Sequence, residues 1–185
     1  MFHEDWYSDR QIEELKKTIN KILYLEGSIV EIGCWEGRST IAIANMCYPE
    51  LVEAVDTWKG NYDEDPDHPS VKLAEERDIY KEFCLNIKIM TKGNIIPFKQ
   101  DCFDFLSNFS KPIKFCHIDA SHDYFSVKKT IEMVLPNLVN EAIICGDDFG
   151  SGNHKKLFGG VKRAVKEMCP GYTVVGRFWS YQYKG

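Results

Sequence analysis

The sequence predicts an α/β fold, a doubly wound and mostly parallel sheet with helices on both faces, closed by a C-terminal antiparallel hairpin. Three observations carry this expectation. Short apolar runs alternate with helix-period segments along all 185 residues, and no repeat, low-complexity tract or linker interrupts them. The last such segments, "YTVVGRFW" and "SYQYK", read as a hairpin instead of another strand and helix.

The elements follow in order. Ser8 and Gln11 form a capping box, after which Ile12, Leu15, Ile19, Ile22 and Leu23 share one helical face until Gly27. The chain therefore enters on an amphipathic helix. "SIVEIG" then reads as a strand, "RSTIAIANMC" as a helix and "LVEAVD" as a second strand. "HPSVKLAEERDIYKEFCLNI" is largely helical, "IIPFKQD" a third strand and "KPIKFCHID" a fourth. Val127, Ile131 and Val134 mark one face of a helix ending near Pro136; "EAIICGDD" is a fifth strand and "KKLFGGVKRAVKEMC" the last helix.

Composition narrows the class. With 44% hydrophobic residues the chain can build the core of one domain spanning 1–185. Its seven cysteines (Cys34, Cys47, Cys84, Cys102, Cys116, Cys145, Cys169) are odd in number and form no C-x-x-C pair. That is reduced, cytoplasmic usage, without a disulfide framework or zinc site. No signal-peptide pattern opens the chain and no apolar run exceeds four residues, so no membrane span is expected. A net charge of -5 argues against nucleic acid as the main partner. The basic residues Lys155, Lys156, Lys162, Arg163 and Lys166 fit the exposed face of the last helix.

In such a sheet ligands lie beyond the carboxyl ends of the strands, beside the point where strand order reverses. The first strand ends in "EIGCWEGRST", where Gly33 and Gly37 permit a tight turn and Ser39 and Thr40 open a helix facing the same place. A dinucleotide fingerprint needs glycine where Trp35 stands, which disfavours a nicotinamide oxidoreductase. The second strand ends at Asp56, placed to accept hydrogen bonds from ribose hydroxyls, and the third at Asp101 and Cys102. The fourth runs into "HIDASHDY", where alternation sends His117 to the same sheet face as Asp119, His117 reads as a core histidine, and Asp123 with Tyr124 begins the next helix. "NYDEDPDHP" begins like a calcium loop at Asp63, Asp65 and Asp67, but His68 and Ala74 replace the required glycine and glutamate. It reads as a solvated loop or a lid over the substrate, and His154 as a surface residue within reach of an acceptor.

"VEIGCWEGRST", "VDTWKGN", "FKQDCFDFL", "IKFCHIDASHDYFSVKKTIEMVLPNL" and "AIICGDDF" together resemble, over residues 28 to 150, the class I S-adenosylmethionine-dependent methyltransferases. Within these they resemble the subgroup of macrocin-type sugar O-methyltransferases. The resemblance implies a seven-stranded Rossmann-like methyltransferase sheet. It implies that Glu31, Gly33 and Gly37 hold the methionine end of the cofactor, with Cys34, Ser39 and Thr57 as further cofactor-binding residues. Asp56 would take the ribose, Asp101 and Cys102 the adenine edge, and Trp58 would flank the site with Asp119 as a further neighbour.

In that topology the strands ending at Asp119 and at Asp147 and Asp148 are neighbours, so three carboxylates converge and call for a cation. Hard oxygen ligands favour Mg2+ or Mn2+. His122, three residues after Asp119, stands where the sugar-modifying relatives place a histidine base and the catechol-type enzymes a lysine. The expectation is a metal-assisted O-methyltransferase acting on a sugar or glycan hydroxyl. The alternatives are a catechol or phenol O-methyltransferase and a non-catalytic S-adenosylmethionine-binding module. The expected partner is a small-molecule or glycan acceptor, and both a homo-oligomer and a domain of a larger glycosyltransferase fusion fit the chain.

Overall fold

Seven strands form one sheet in the order β3-β2-β1-β4-β5-β7-β6. They are β1 (Ser28–Ile32), β2 (Val52–Asp56), β3 (Ile95–Lys99), β4 (Ile113–Ile118), β5 (Leu138–Gly146), β6 (Thr173–Val175) and β7 (Phe178–Gln182). The computed structural model describes residues 2–4, 6–61, 68–150 and 155–185, with the backbone alone for 155–158. β1 to β5 pair in parallel, whereas β7 runs antiparallel to β5 and β6 antiparallel to β7. Pro97 lies in β3, an edge strand, where a missing N–H leaves no central ladder unpaired.

The strand sequences bury both faces because successive residues point to opposite sides. Ile29, Phe115 and Ile143 meet Leu15 and Ile19 of helix α1 (Asp9–Ile19) and Ile43 of α2 (Arg38–Cys47). Their neighbours Val30, Cys116 and Ile144 pack on the other face. There they meet Phe105 of α5 (Cys102–Ser107), Val127 and Ile131 of α6 (Tyr124–Val134) and Val165 of α7 (Lys155–Met168). A third cluster joins Trp58 to Ile79 and Phe83 beside the β2 end of the sheet.

Two helices depart from the periodicity. The capping box of Ser8 and Gln11 forms, but α1 stops at Ile19, and i→i+3 turns carry the chain onward, burying Ile22 and exposing Leu23. The long third helical segment is two helices, α3 (Pro69–Glu76) and α4 (Ile79–Met90), because the Asp78 side chain accepts from Lys81 N and starts a new helix. In the closing hairpin the turn falls at Gly176 and Arg177, so "SYQ" belongs to the same arm as Phe178 and Trp179.

Strand order reverses at β1, whose neighbours are β2 and β4. A crevice is therefore expected beyond the carboxyl ends of β1 and β4.

Candidate active site

A cleft of about 700 Å³ opens there. Gly33 makes it possible: its φ is +85°, and a Cβ added to it would lie 2.1 Å from the carbonyl oxygen of Asp119. Only glycine lets the turn after β1 lie against the end of β4. Asp56 braces the same turn, its Oδ2 accepting from Cys34 N at 2.7 Å and Trp35 N at 2.9 Å and its Oδ1 from Trp58 N at 2.6 Å. Trp35, Trp58 and Asp148 all adopt positive φ without being glycine, at 46°, 54° and 59°. Backbone strain of this kind gathers where a site is being shaped.

Cys34, Ser39, Thr57, Asp101, Cys102 and Asp119 line the cleft together with Gly33 and Asp56. Three other residues of the expected cofactor set do not line the cleft. Glu31 is fully buried beneath the cleft and pairs through Oε1 with His117 Nδ1 at 3.1 Å, because it lies within the β1 ladder opposite His117 of β4. Gly37 turns the chain into α2 and packs on Phe83. Trp58 is 4% exposed, packs at a tilt against Tyr80 and Phe83, and donates from Nε1 to Trp35 O, so packing and not the cleft claims its ring. Asp101 accepts from Phe103 N and Asp104 N and thereby caps α5 while its edge faces the cleft. Burial raises the Cys34 thiol well above its ordinary value and pushes Cys102 up to about 11, so both are neutral thiols.

His117 is a buried packing residue within β4, and its Nε2 lies 3.1 Å from the Tyr7 hydroxyl.

At the floor of the cleft Asp119, Asp147 and Asp148 each offer an oxygen within 4.8 Å of the others. Asp147 Oδ2 accepts from Gln11 Nε2 and, at 2.7 Å, from Arg177 Nη2. Asp148 Oδ2 lies 2.9 Å from His122 Nε2. The Oδ1 atoms of Asp147 and Asp148 are buried and make no hydrogen bond. Such oxygens are costly unless something positive meets them. Desolvation, followed by the charges of Asp147 and Asp148, pushes the Asp119 carboxyl from 3.8 up to about 8.

An acid that holds its proton more tightly folded than unfolded stabilises the fold less as pH rises between those two values. In chelator, the thermal midpoint should therefore fall from about pH 4 to about pH 8. Calorimetry on Asp119→Asn should give a shallower slope, and an unchanged slope would remove this acid as the cause.

His122 is held from both sides. Asn61 Nδ2 lies 3.0 Å from its Nδ1 and also donates to Ala120 O at 3.4 Å, which orients the amide. With Asn61 donating, the imidazole carries its proton on Nε2, towards Asp148. The loop bearing His122 is set by packing, since a Cβ on Gly160 of α7 would lie 2.2 Å from His122 O. Asp123 then caps α6 through Phe125 N and Ser126 N. Gln11, Asn61 and Arg177 carried no local signal of a site. Gln11 read only as half of a capping box. Asp63, Asp65, Asp67 and His154 lie outside the described residues.

A glycine-bearing turn after β1, an acid ending β2, a cleft at the β1/β4 reversal and β7 lying antiparallel between β5 and β6 agree with the class I S-adenosylmethionine-dependent methyltransferases that the sequence resembles. The family model described as a methyltransferase domain matches residues 30–149, and the chain belongs to that family. Among solved structures it is similar to the O-methyltransferase NovP, with 16% identity, a TM-score of 0.73 and coverage of 95% of this chain and 80% of that one. It is also similar to CalS11, a TDP-rhamnose 3'-O-methyltransferase of calicheamicin biosynthesis, with 14% identity, a TM-score of 0.63 and coverage of 97% and 82%. Cofactor-bound Rv0187 from MTB gives 18% identity, a TM-score of 0.67 and coverage of 94% and 78%. No curated protein matches the chain. No helix among the described residues is long and apolar enough to cross a membrane.

Proposed function

We propose that the chain methylates a hydroxyl of a sugar or glycan, with Asp119, Asp147 and Asp148 holding a divalent cation and His122 taking the hydroxyl proton. The observation that carries this reading is the division of labour at the cleft floor. One oxygen of Asp147 and one of Asp148 is engaged by protein donors, while the other is buried without a hydrogen bond. An all-oxygen set of this kind suits Mg2+ or Mn2+. The cation would supply charge stabilisation to an ionising hydroxyl, and S-adenosylmethionine would supply the electrophilic methyl group.

The residues of the chain do the positioning. Gly33 lets the cofactor turn and the β4 end share one cleft, and Asp56 keeps that turn rigid through three backbone amides. Asp148 orients His122 from Nε2, which leaves Nδ1 to accept a proton once Asn61 yields its place to the acceptor hydroxyl. CalS11 and NovP support oxygen as the accepting atom, and CalS11 supports a sugar.

The test is a methyl-transfer screen over free sugars, nucleotide-linked deoxysugars and catechols, with Mg2+ and with chelator. Methylated sugar formed in Mg2+ and lost in chelator is the expected result. Product from catechols alone would overturn the acceptor, and full activity in chelator would overturn the cation.

A further inference from the structure

Arg177 is a cation that the protein itself places against two of the three acids. It comes from the turn between β6 and β7, 30 residues after Asp147 in the chain. Its Nη2 lies 2.7 Å from Asp147 Oδ2 and its Nη1 3.4 Å from Asp148 Oδ1, so one planar guanidinium bridges both carboxylates. Asp148 Oδ1 is also one of the two buried oxygens without a hydrogen bond. The guanidinium therefore reaches towards an oxygen that a divalent cation would need. It also donates to Trp6 O at 3.2 Å, which ties the N-terminal wall of the cleft to the same charge.

We propose that Arg177 is a tethered counter-ion that competes with the divalent cation for the Asp147 and Asp148 carboxylates. This inference rests on the divalent-cation reading of the site. Like charges repel strongly at such separations in a partly buried site, so a metal ion must displace the guanidinium or bind against it. Arg177 then sets a threshold for metal loading, and in the metal-free cleft its ion pairs offset the mutual repulsion of the acids.

The experiment is calorimetric titration of Mn2+ into the metal-free full chain, comparing wild type with Arg177→Gln and Arg177→Lys. Arg177→Gln should bind Mn2+ about tenfold more tightly or better, with a smaller gain for Arg177→Lys, which keeps the charge but loses the bridge. Mn2+ should also raise the thermal midpoint of Arg177→Gln more than that of wild type. If Arg177→Gln does not fold without metal, Arg177→Lys decides alone, and equal or weaker binding by the folded variant overturns the competition. Binding that survives in Asp119→Asn places the ion elsewhere and also overturns it. If wild type and both variants bind no Mn2+, or if binding survives in Asp119→Asn, the divalent-cation reading itself fails, whereas equal or weaker binding by the Arg177 variants leaves it standing.

Discussion

Replacing His122 by alanine is expected to lower the turnover number by about 10²- to 10⁴-fold, the usual contribution of a positioned general base. The cofactor should bind as before, because Asp56 braces the turn after β1 through the backbone amides of Cys34, Trp35 and Trp58, which the substitution leaves in place. The imidazole has one nitrogen against Asp148 and the other against Asn61, so it is oriented but must exchange a partner to act. Single-turnover methyl transfer with saturating cofactor and metal separates this loss from weaker binding. Near-wild-type turnover would exclude His122 as the base and turn attention to Asp119 or solvent.

Gly33→Ala should damage folding and cofactor binding together. Any Cβ at a φ of +85° is strained, and this one would meet the Asp119 carbonyl oxygen at 2.1 Å. The left-handed backbone costs about 1–2 kcal/mol and forced overpacking about 1–3 kcal/mol more. The clash is with backbone on the neighbouring strand end, so relief requires β1 and β4 to part at the floor of the cleft. Chemical denaturation should show a loss of roughly 2–5 kcal/mol, and calorimetry a matching fall in affinity for S-adenosylmethionine. A variant with wild-type stability and cofactor affinity would mean that this close approach is not needed.

Much of the fold was legible because local chemistry and burial agreed. The capping box at Ser8 forms as its spacing implies, and the Ile- and Val-rich runs become strands buried on both faces. The misreadings came where two local signals competed. Apolar residues continued the helical period past Ile19, yet single turns bury Ile22 without extending α1. Asp78 divided a helix that periodicity alone would have kept whole. Glu31 and Trp58 stood at suggestive positions in motifs, but the β1 ladder and an aromatic cluster took their side chains away from the cleft.

The sequence by itself determined the alternation of strands and helices, the methyltransferase motifs, and the acids and histidine at the strand ends. Those are properties of residue type and spacing, and both can be read along one dimension. Only the tertiary structure decided what meets them. Gln11 reaches Asp147 across 136 residues, and Arg177 is brought to both acids because β7 inserts antiparallel between β5 and β6. Strand order and hairpin register set those contacts, and no local pattern around Gln11 or Arg177 encodes the partner that lies across the sheet.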